Sequence, residues 1–289
     1  MVSTSPLKSL IPVAFASTIL TGILLGCSHS PHHRKGHHMG HRKLHHSAYG
    51  THRSDENRMR NIYRHPVETL KFFEVKPDMK VAEIAPGGGW YTEILGPYLK
   101  DRGQLHLTLF SDQSKRSYAP KLNQRIRSLT ENKELFGEVS FSTLETPNTL
   151  EDIGEEGTFD RVLTFRNVHN WMKDDKAKEV FKKFFKALKP GGILGVVEHR
   201  AKNSKKQDPK AASGYVREDY VIDLAKSVGF EFLAKSEINA NYNDDSNHTN
   251  GVWTLPPRLR TKGSAKSESF YQAIGESDRM TVKFRKPLK

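Results

Sequence analysis

Three groups of residues have the types and spacing to do chemistry. The first is Glu83-Ile84-Ala85-Pro86-Gly87-Gly88-Gly89, an acid followed by a glycine turn between a short apolar run and a helical pattern. Such a turn offers backbone N–H groups and the positive end of a helix to a ligand, and glycine permits close approach and positive φ. No lysine ends the turn, which argues against a phosphate loop of the GxxxxGK type; a dinucleotide site or a tight structural turn uses the same residues. The second group follows the strand-like RVLTF and contains Arg166, Asn167, His169 and Trp171. An imidazole titrates near neutrality, so His169 is the candidate general base, and Asn167 is placed to orient a ligand. A structural histidine bonded to the backbone is the plainer account. The third group is Glu198-His199-Arg200 after ILGVVEH, with Tyr215 re-entering the domain beyond a polar loop. His199 and the Tyr215 hydroxyl can meet a substrate; a simple Glu198–Arg200 ion pair is the alternative.

These residues need strands and helices to hold them. Strand patterns fall at 80–85, 104–110, 139–144, 161–165, 193–199, 231–233 and 280–284, each bounded by turn residues. Helical patterns lie between them. The clearest, 174–188, sets Ala177, Val180, Phe181, Phe184, Phe185 and Leu188 on one face, with Lys and Glu opposite. Strands alternating with helices imply an α/β fold whose mainly parallel sheet is covered on both faces. Such sheets take ligands outside the carboxyl ends of their strands, where the glycine turn falls. About forty residues, from Asn239 to Asp278, separate the last two strands, far more than a hairpin loop needs. Their aromatic and proline content suits a lid.

The N-terminal residues have a different character. Ser9 to Gly26 is an uncharged run of 18 residues behind Lys8, the length of a signal h-region. It ends in Leu24-Leu25-Gly26-Cys27, which resembles the bacterial lipobox. That resemblance implies lipidation of Cys27, export and anchoring facing the periplasm; Ser28 resembles the outer-membrane sorting residue. Cys27 is the one cysteine, so no intrachain disulfide can form. Residues 28–54 hold nine of the fourteen histidines with few apolar residues, and read as a disordered linker able to collect divalent metal adventitiously. Residues 1–27 are thus a signal peptide, 28–54 a His-rich linker and 55–289 the folded domain. Of the formal charge of +13, +6 lies in residues 1–60. A basic tether suits an anionic membrane surface; no basic stripe interleaved with aromatics argues for nucleic acid.

Together the motifs resemble class I S-adenosylmethionine-dependent methyltransferases. Glu83 to Gly89 resembles their first motif, with Ala85 in place of the usual first glycine, and Leu188-Lys189-Pro190-Gly191-Gly192 resembles their turn before strand five. The stretches TFRNVHNW, GVVEHR, INAN, GVWTLPP and IGESDRM are similar to a bacterial group of methyltransferase-like proteins that often carry export signals. The resemblance implies a Rossmann-like fold with a mainly parallel seven-stranded sheet, helices on both faces and a long insertion before the last strand. It implies S-adenosylmethionine at Glu83, Ala85, Pro86, Gly87, Gly88, Gly89 and Arg166. The acid that usually holds the ribose is replaced by Leu109, with Asp112 as the nearby substitute. His169, Asn167, His199 and Tyr215 then face the methyl group and a small-molecule acceptor. A binding lipoprotein that retains the fold without the reaction, and a metal-handling lipoprotein acting through its histidines, are the rival readings.

Replacing Cys27 by Ala should move the protein from the membrane to the soluble fraction on cell lysis and detergent partitioning. Retention in the membrane would instead identify an uncleaved anchor.

Overall fold

The protein is described by a computed structural model for residues 1–2 and 31–288. The apolar run and Cys27 lie outside these residues. Among the described residues, no helix is long and apolar enough to cross a membrane.

Among the described residues, eight strands form one sheet: β1 (Lys80–Ile84), β2 (Gln104–Leu109), β3 (Val139–Glu145), β4 (Thr149–Leu150), β5 (Phe159–Phe165), β6 (Leu188–His199), β7 (Glu231–Ser236) and β8 (Arg279–Arg285). Their order is β4-β3-β2-β1-β5-β6-β8-β7. The five strands from β3 to β6 pair in parallel, whereas β8 runs antiparallel to both β6 and β7. The expected seven strands therefore become eight. Thr146, Pro147 and Asn148 turn the chain back, and the two residues of β4 pair antiparallel with Leu144 and Glu145.

The helices are α1 (Pro31–Tyr49), α2 (Asp55–Met59), α3 (Asn61–Arg64), α4 (Pro66–Phe72), α5 (Thr92–Leu99), α6 (Ala119–Thr130), α7 (Lys133–Phe136), α8 (Val168–Lys173), α9 (Ala177–Ala187), α10 (Glu218–Lys226) and α11 (Glu268–Ile274). They divide between the two faces because the central strands bury both sides. Val81, Leu105, Leu107, Leu163 and Val197 pack toward α1, α4 and α5. Ala82, Ile84, Val162, Leu194, Val196 and Val282 pack toward α8, α9 and α10. Near-continuous apolar strands are what a sheet covered on both sides requires.

The disordered-linker expectation is corrected for residues 31–49, which form α1. Its last turns dock Leu44 and Ala48 into the same core as Leu95 and Tyr98 of α5. Two apolar residues one turn apart, with Ser47 bonded back to Lys43, suffice because the neighbouring surface is already built. Gly40 closes against Pro77 and Tyr98, where a Cβ would be in ordinary contact.

Leu44→Ala should cost about 2–5 kcal/mol in chemical denaturation, the range for a buried leucine. A tether that only carries the domain would leave the midpoint unchanged.

Candidate active site

β1 and β5 lie at the centre of the sheet, and the chain leaves them in opposite directions, opening a crevice at their carboxyl ends. Both walls of the crevice hold non-glycine residues at positive φ, Ala85 (φ 47°) after β1 and Arg166 (φ 64°) after β5. Such backbone is sparsely populated and persists where surroundings enforce it. Here the Ala85 N–H donates to Thr108 Oγ1 (2.8 Å), and the Arg166 N–H donates to Val197 O (2.7 Å). Asn167 ties the walls together: its Nδ2 donates to Ile84 O (3.0 Å) and Thr164 Oγ1 (3.1 Å).

The glycines of the turn have different roles. Gly87 (φ 59°) faces open space, with nothing within 4 Å of where a Cβ would stand. Gly89 (φ 85°) lies against α6: a Cβ there would meet Leu129 Cδ2 at 2.8 Å. Behind the turn, Glu83 is buried and accepts from Thr92 Oγ1 (2.7 Å). Burial pushes its carboxyl up to about 7, although the Thr92 bond and Arg166 pull the other way. A cationic ligand group beside it would favour the charged form.

Beside the turn, a narrow cleft of about 10 Å³ is lined by Ala85, Pro86, Gly87, Leu109 and Phe110 on one side and by Leu122, Asn123 and Ile126 of α6 on the other. Asn123 clasps the Phe110 backbone at both N–H and C=O (3.1 and 2.8 Å), and Arg125 Nε donates to Gly88 O (2.9 Å). Asp112 is the residue expected to replace the missing ribose-binding acid. It is exposed in a groove of about 420 Å³ that Ser111, Asn123, Gln124 and Arg127 also line.

On the other side of β5, the second and third groups converge. Glu198 is fully buried and accepts from four groups: Val168 N–H (2.5 Å) and His169 N–H (3.4 Å) at Oε2, His199 N–H (2.8 Å) and His169 Nδ1 (3.1 Å) at Oε1. Facing a carboxylate oxygen that accepts, His169 Nδ1 is the donor, and Nε2 is the ring nitrogen left to meet a ligand. The His169, Glu198 and His199 ligand atoms lie within 4.8 Å of one another, a metal-like spacing. The hydrogen bonds already made at both Glu198 oxygens weigh against that use. Rings of His169 and His199 are 5.5 Å apart, and His199 Nδ1 lies 2.5 Å from Ser277 Oγ. Burial, then His169, Arg279 and Arg166, hold the His199 imidazole well below its ordinary value, so it is neutral at neutral pH.

Tyr215 does not offer its hydroxyl to a substrate. It donates to Asp244 (2.8 and 3.0 Å to the two oxygens) inside the insertion. Asp244 also accepts from Ser246 and Asp278 N–H groups and pairs with His248, so this carboxylate organises the residues between β7 and β8. The insertion is ordered, with a 3₁₀ turn at Gly251–Thr254 and α11. It brings Trp253 edge-on to His169, ring centroids 6.0 Å apart. Arg200, read above as a partner for Glu198, pairs instead with Asp278 through two bonds of 2.9 Å.

Sequence reasoning missed a cluster on the far wall. Glu276 pairs with Arg60 (2.7 Å), Arg64 (2.9 Å) and Arg279, and Arg166 lies close enough to feel Glu276 and Arg279. Arg60 and Arg64 at helical spacing, with Glu276 and Arg279 three apart, were the available signal.

No protein-family model matches the chain, and no curated protein matches it. Solved structures do. The (4+2)-cyclase SpnF aligns with a TM-score of 0.54 at 13% identity, covering 89% of this chain and 96% of its own. A chain from the complex of the Haloferax volcanii Trm112 methyltransferase activator aligns at 0.50 and 13% identity, over 84% and 97%. A SAM-dependent methyltransferase from Aquifex aeolicus gives 0.49 at 17%, over 62% and 87%. The chain therefore has the α/β Rossmann-like methyltransferase fold, here with a mixed sheet of eight strands. The fold alone does not name a reaction.

Glu83 binds a proton more tightly folded than unfolded, so its contribution to stability is full below about pH 4.5 and is lost as pH rises through 7. Glu83→Gln should remove this dependence. Its stability relative to wild type should improve by about 3 kcal/mol between pH 4 and pH 8, measured by urea denaturation.

Proposed function

We propose that the protein binds S-adenosylmethionine at the glycine turn and transfers its methyl group to an acceptor held over His169 and His199. The observation that carries this reading is Gly87, which faces free space at the crevice with the buried Glu83 carboxyl behind it. Those residues fit the aminoacyl end of the cofactor: Gly87 lets the ligand approach the backbone, and Glu83 offers charge near an ammonium. When bound, the cofactor supplies an electrophilic methyl on a sulfonium. The chain's own residues then align and deprotonate the acceptor. Asn167 fixes the turn against β5. His169 Nε2 takes the acceptor proton, and Glu198 stabilises the imidazolium that forms. Trp253 and the insertion restrict water at the imidazole pair, the role expected of a lid.

The adenosine end requires α6 to withdraw from the turn. Leu109 and the narrow cleft favour, as a second reading, a binding protein that retains the fold without the reaction. In both readings the protein is exported and anchored through lipidated Cys27 on the periplasmic side of a membrane, the outer membrane in preference. The histidines of α1 are proposed to collect divalent metal adventitiously.

Thermal unfolding with S-adenosylhomocysteine tests the site. At a hundred times its dissociation constant the ligand should add about 2.7 kcal/mol, a rise of roughly 5–10 °C. Gly87→Ala, whose methyl meets no protein atom and whose positive φ costs about 1–2 kcal/mol, should leave a folded protein that shows no rise. No rise in the wild type at millimolar ligand would end the methyltransferase reading. His169→Gln should keep the thermal shift and lower turnover of an identified acceptor about 10²–10⁴-fold.

A further inference from the structure

The cluster around Glu276 is unbalanced. Arg60, Arg64, Arg166 and Arg279 surround a single carboxylate, and the side chains of Arg64, Arg279 and Glu276 are 2–4% exposed. Each of Glu276's oxygens is already engaged, Oε1 by Arg60 and Oε2 by Arg64 and Arg279. Two buried donors, Arg64 Nη1 and Arg279 Nε, have no partner among the described residues. Buried donors are nearly always paired, and an uncompensated buried charge is among the costlier features a fold can keep. Four cations on one anion, with donors left over, is a site that lacks a second anion.

Its location says which anion. Ser277, next to Glu276, lies 2.5 Å from His199 Nδ1, and Arg166 and Arg279 both act on the His199 ring. The Arg64 carbonyl accepts the Tyr91 hydroxyl (3.2 Å), and Tyr91 stacks on Phe165, 3.6 Å between centroids, just before Arg166. The cluster therefore borders the imidazole pair on one side and, through Trp90 and Tyr91, the residues that follow the glycine turn on the other. Burial and the neighbouring cations depress Arg64 well below its ordinary value and Arg166 to about 10, so a bound anion would relieve repulsion already present.

We propose that Arg64, Arg166 and Arg279 seat the carboxylate or phosphate group of an anionic acceptor, holding its reacting atom over His169 and His199. The acceptor role rests on the methyl-transfer reading; the anion seat does not. Guanidinium groups bind both oxyanions through paired, charge-assisted hydrogen bonds.

The test is isothermal titration of the full-length protein with inorganic phosphate and, separately, malonate, each without and with saturating S-adenosylhomocysteine. Binding should be saturable and should persist in both conditions. Arg166→Gln should weaken it at least tenfold. Glu276→Gln, which removes the competing carboxylate without changing shape, should strengthen it several-fold, a direction that damage to the fold would not produce. Whichever of phosphate and malonate binds more tightly identifies the headgroup. Loss of anion binding when S-adenosylhomocysteine is present would assign the cluster to the cofactor's own carboxylate and overturn the proposal. Absence of saturable binding, or an Arg166→Gln variant that binds equally well, would also overturn it. Anion binding in a protein whose thermal unfolding shows no shift with S-adenosylhomocysteine would keep the seat and remove methyl transfer.

Discussion

A carboxylate with no exposed surface fixes the geometry of this site. Glu198 at the end of β6 takes N–H groups from the start of α8, from its own strand and from the His169 ring. Removing it would orphan several buried donors at once, and those donors set the direction in which the chain leaves β5. The Arg166–Val197 bond and the Asn167 bridge to β1 extend the same constraint across the crevice. The imidazole and the glycine turn are thus positioned by one connected set of hydrogen bonds. Their relative placement does not depend on flexible side chains.

On the opposite wall the local forces act differently. Glu198 is saturated by donors, whereas Glu276 is outnumbered by cations. Trp90, directly after the glycine turn, carries Arg53 and Arg64 over its ring at 4.6 and 4.7 Å, so the positive wall is braced by an aromatic as well as by Glu276. That bracing runs through α2 and α3, since the Trp90 indole donates to Asn57 O (3.0 Å). The short N-terminal helices are therefore part of the site's wall, and α1 behind them is part of the domain.

The sheet was legible because its central strands are continuous apolar runs with glycine or proline at their ends. Helix α9 was legible because Val180, Phe181 and Phe184 repeat at helical spacing. α1 was hidden by its composition: histidines dominate, and only Leu44 and Ala48 report that a face is buried. β4 was too short to carry a periodic signal. His169 and Glu198 could each be named as candidates, but their pairing could not, because hydrogen bonds between strand ends depend on register. The alternative of a Glu198–Arg200 ion pair fails for that reason: Arg200, just beyond β6, reaches Asp278, which the fold delivers from the far end of the insertion. Tyr215 likewise was visible as a hydroxyl, while the Asp244 that holds it lies in a segment without pattern.

The packing of α6 on the glycine turn has a kinetic meaning. With Asn123 and Arg125 bonded to the loops and Leu129 against Gly89, a ligand entering the cleft beside Leu109 would have to displace the helix. Association would then proceed through a minor open population, so the observed rate would level off with ligand concentration at the rate of helix opening. The apparent affinity would be lowered by the fraction of molecules that are open. Residence time, set by reclosure over the bound ligand, would be long even for a ligand of modest affinity.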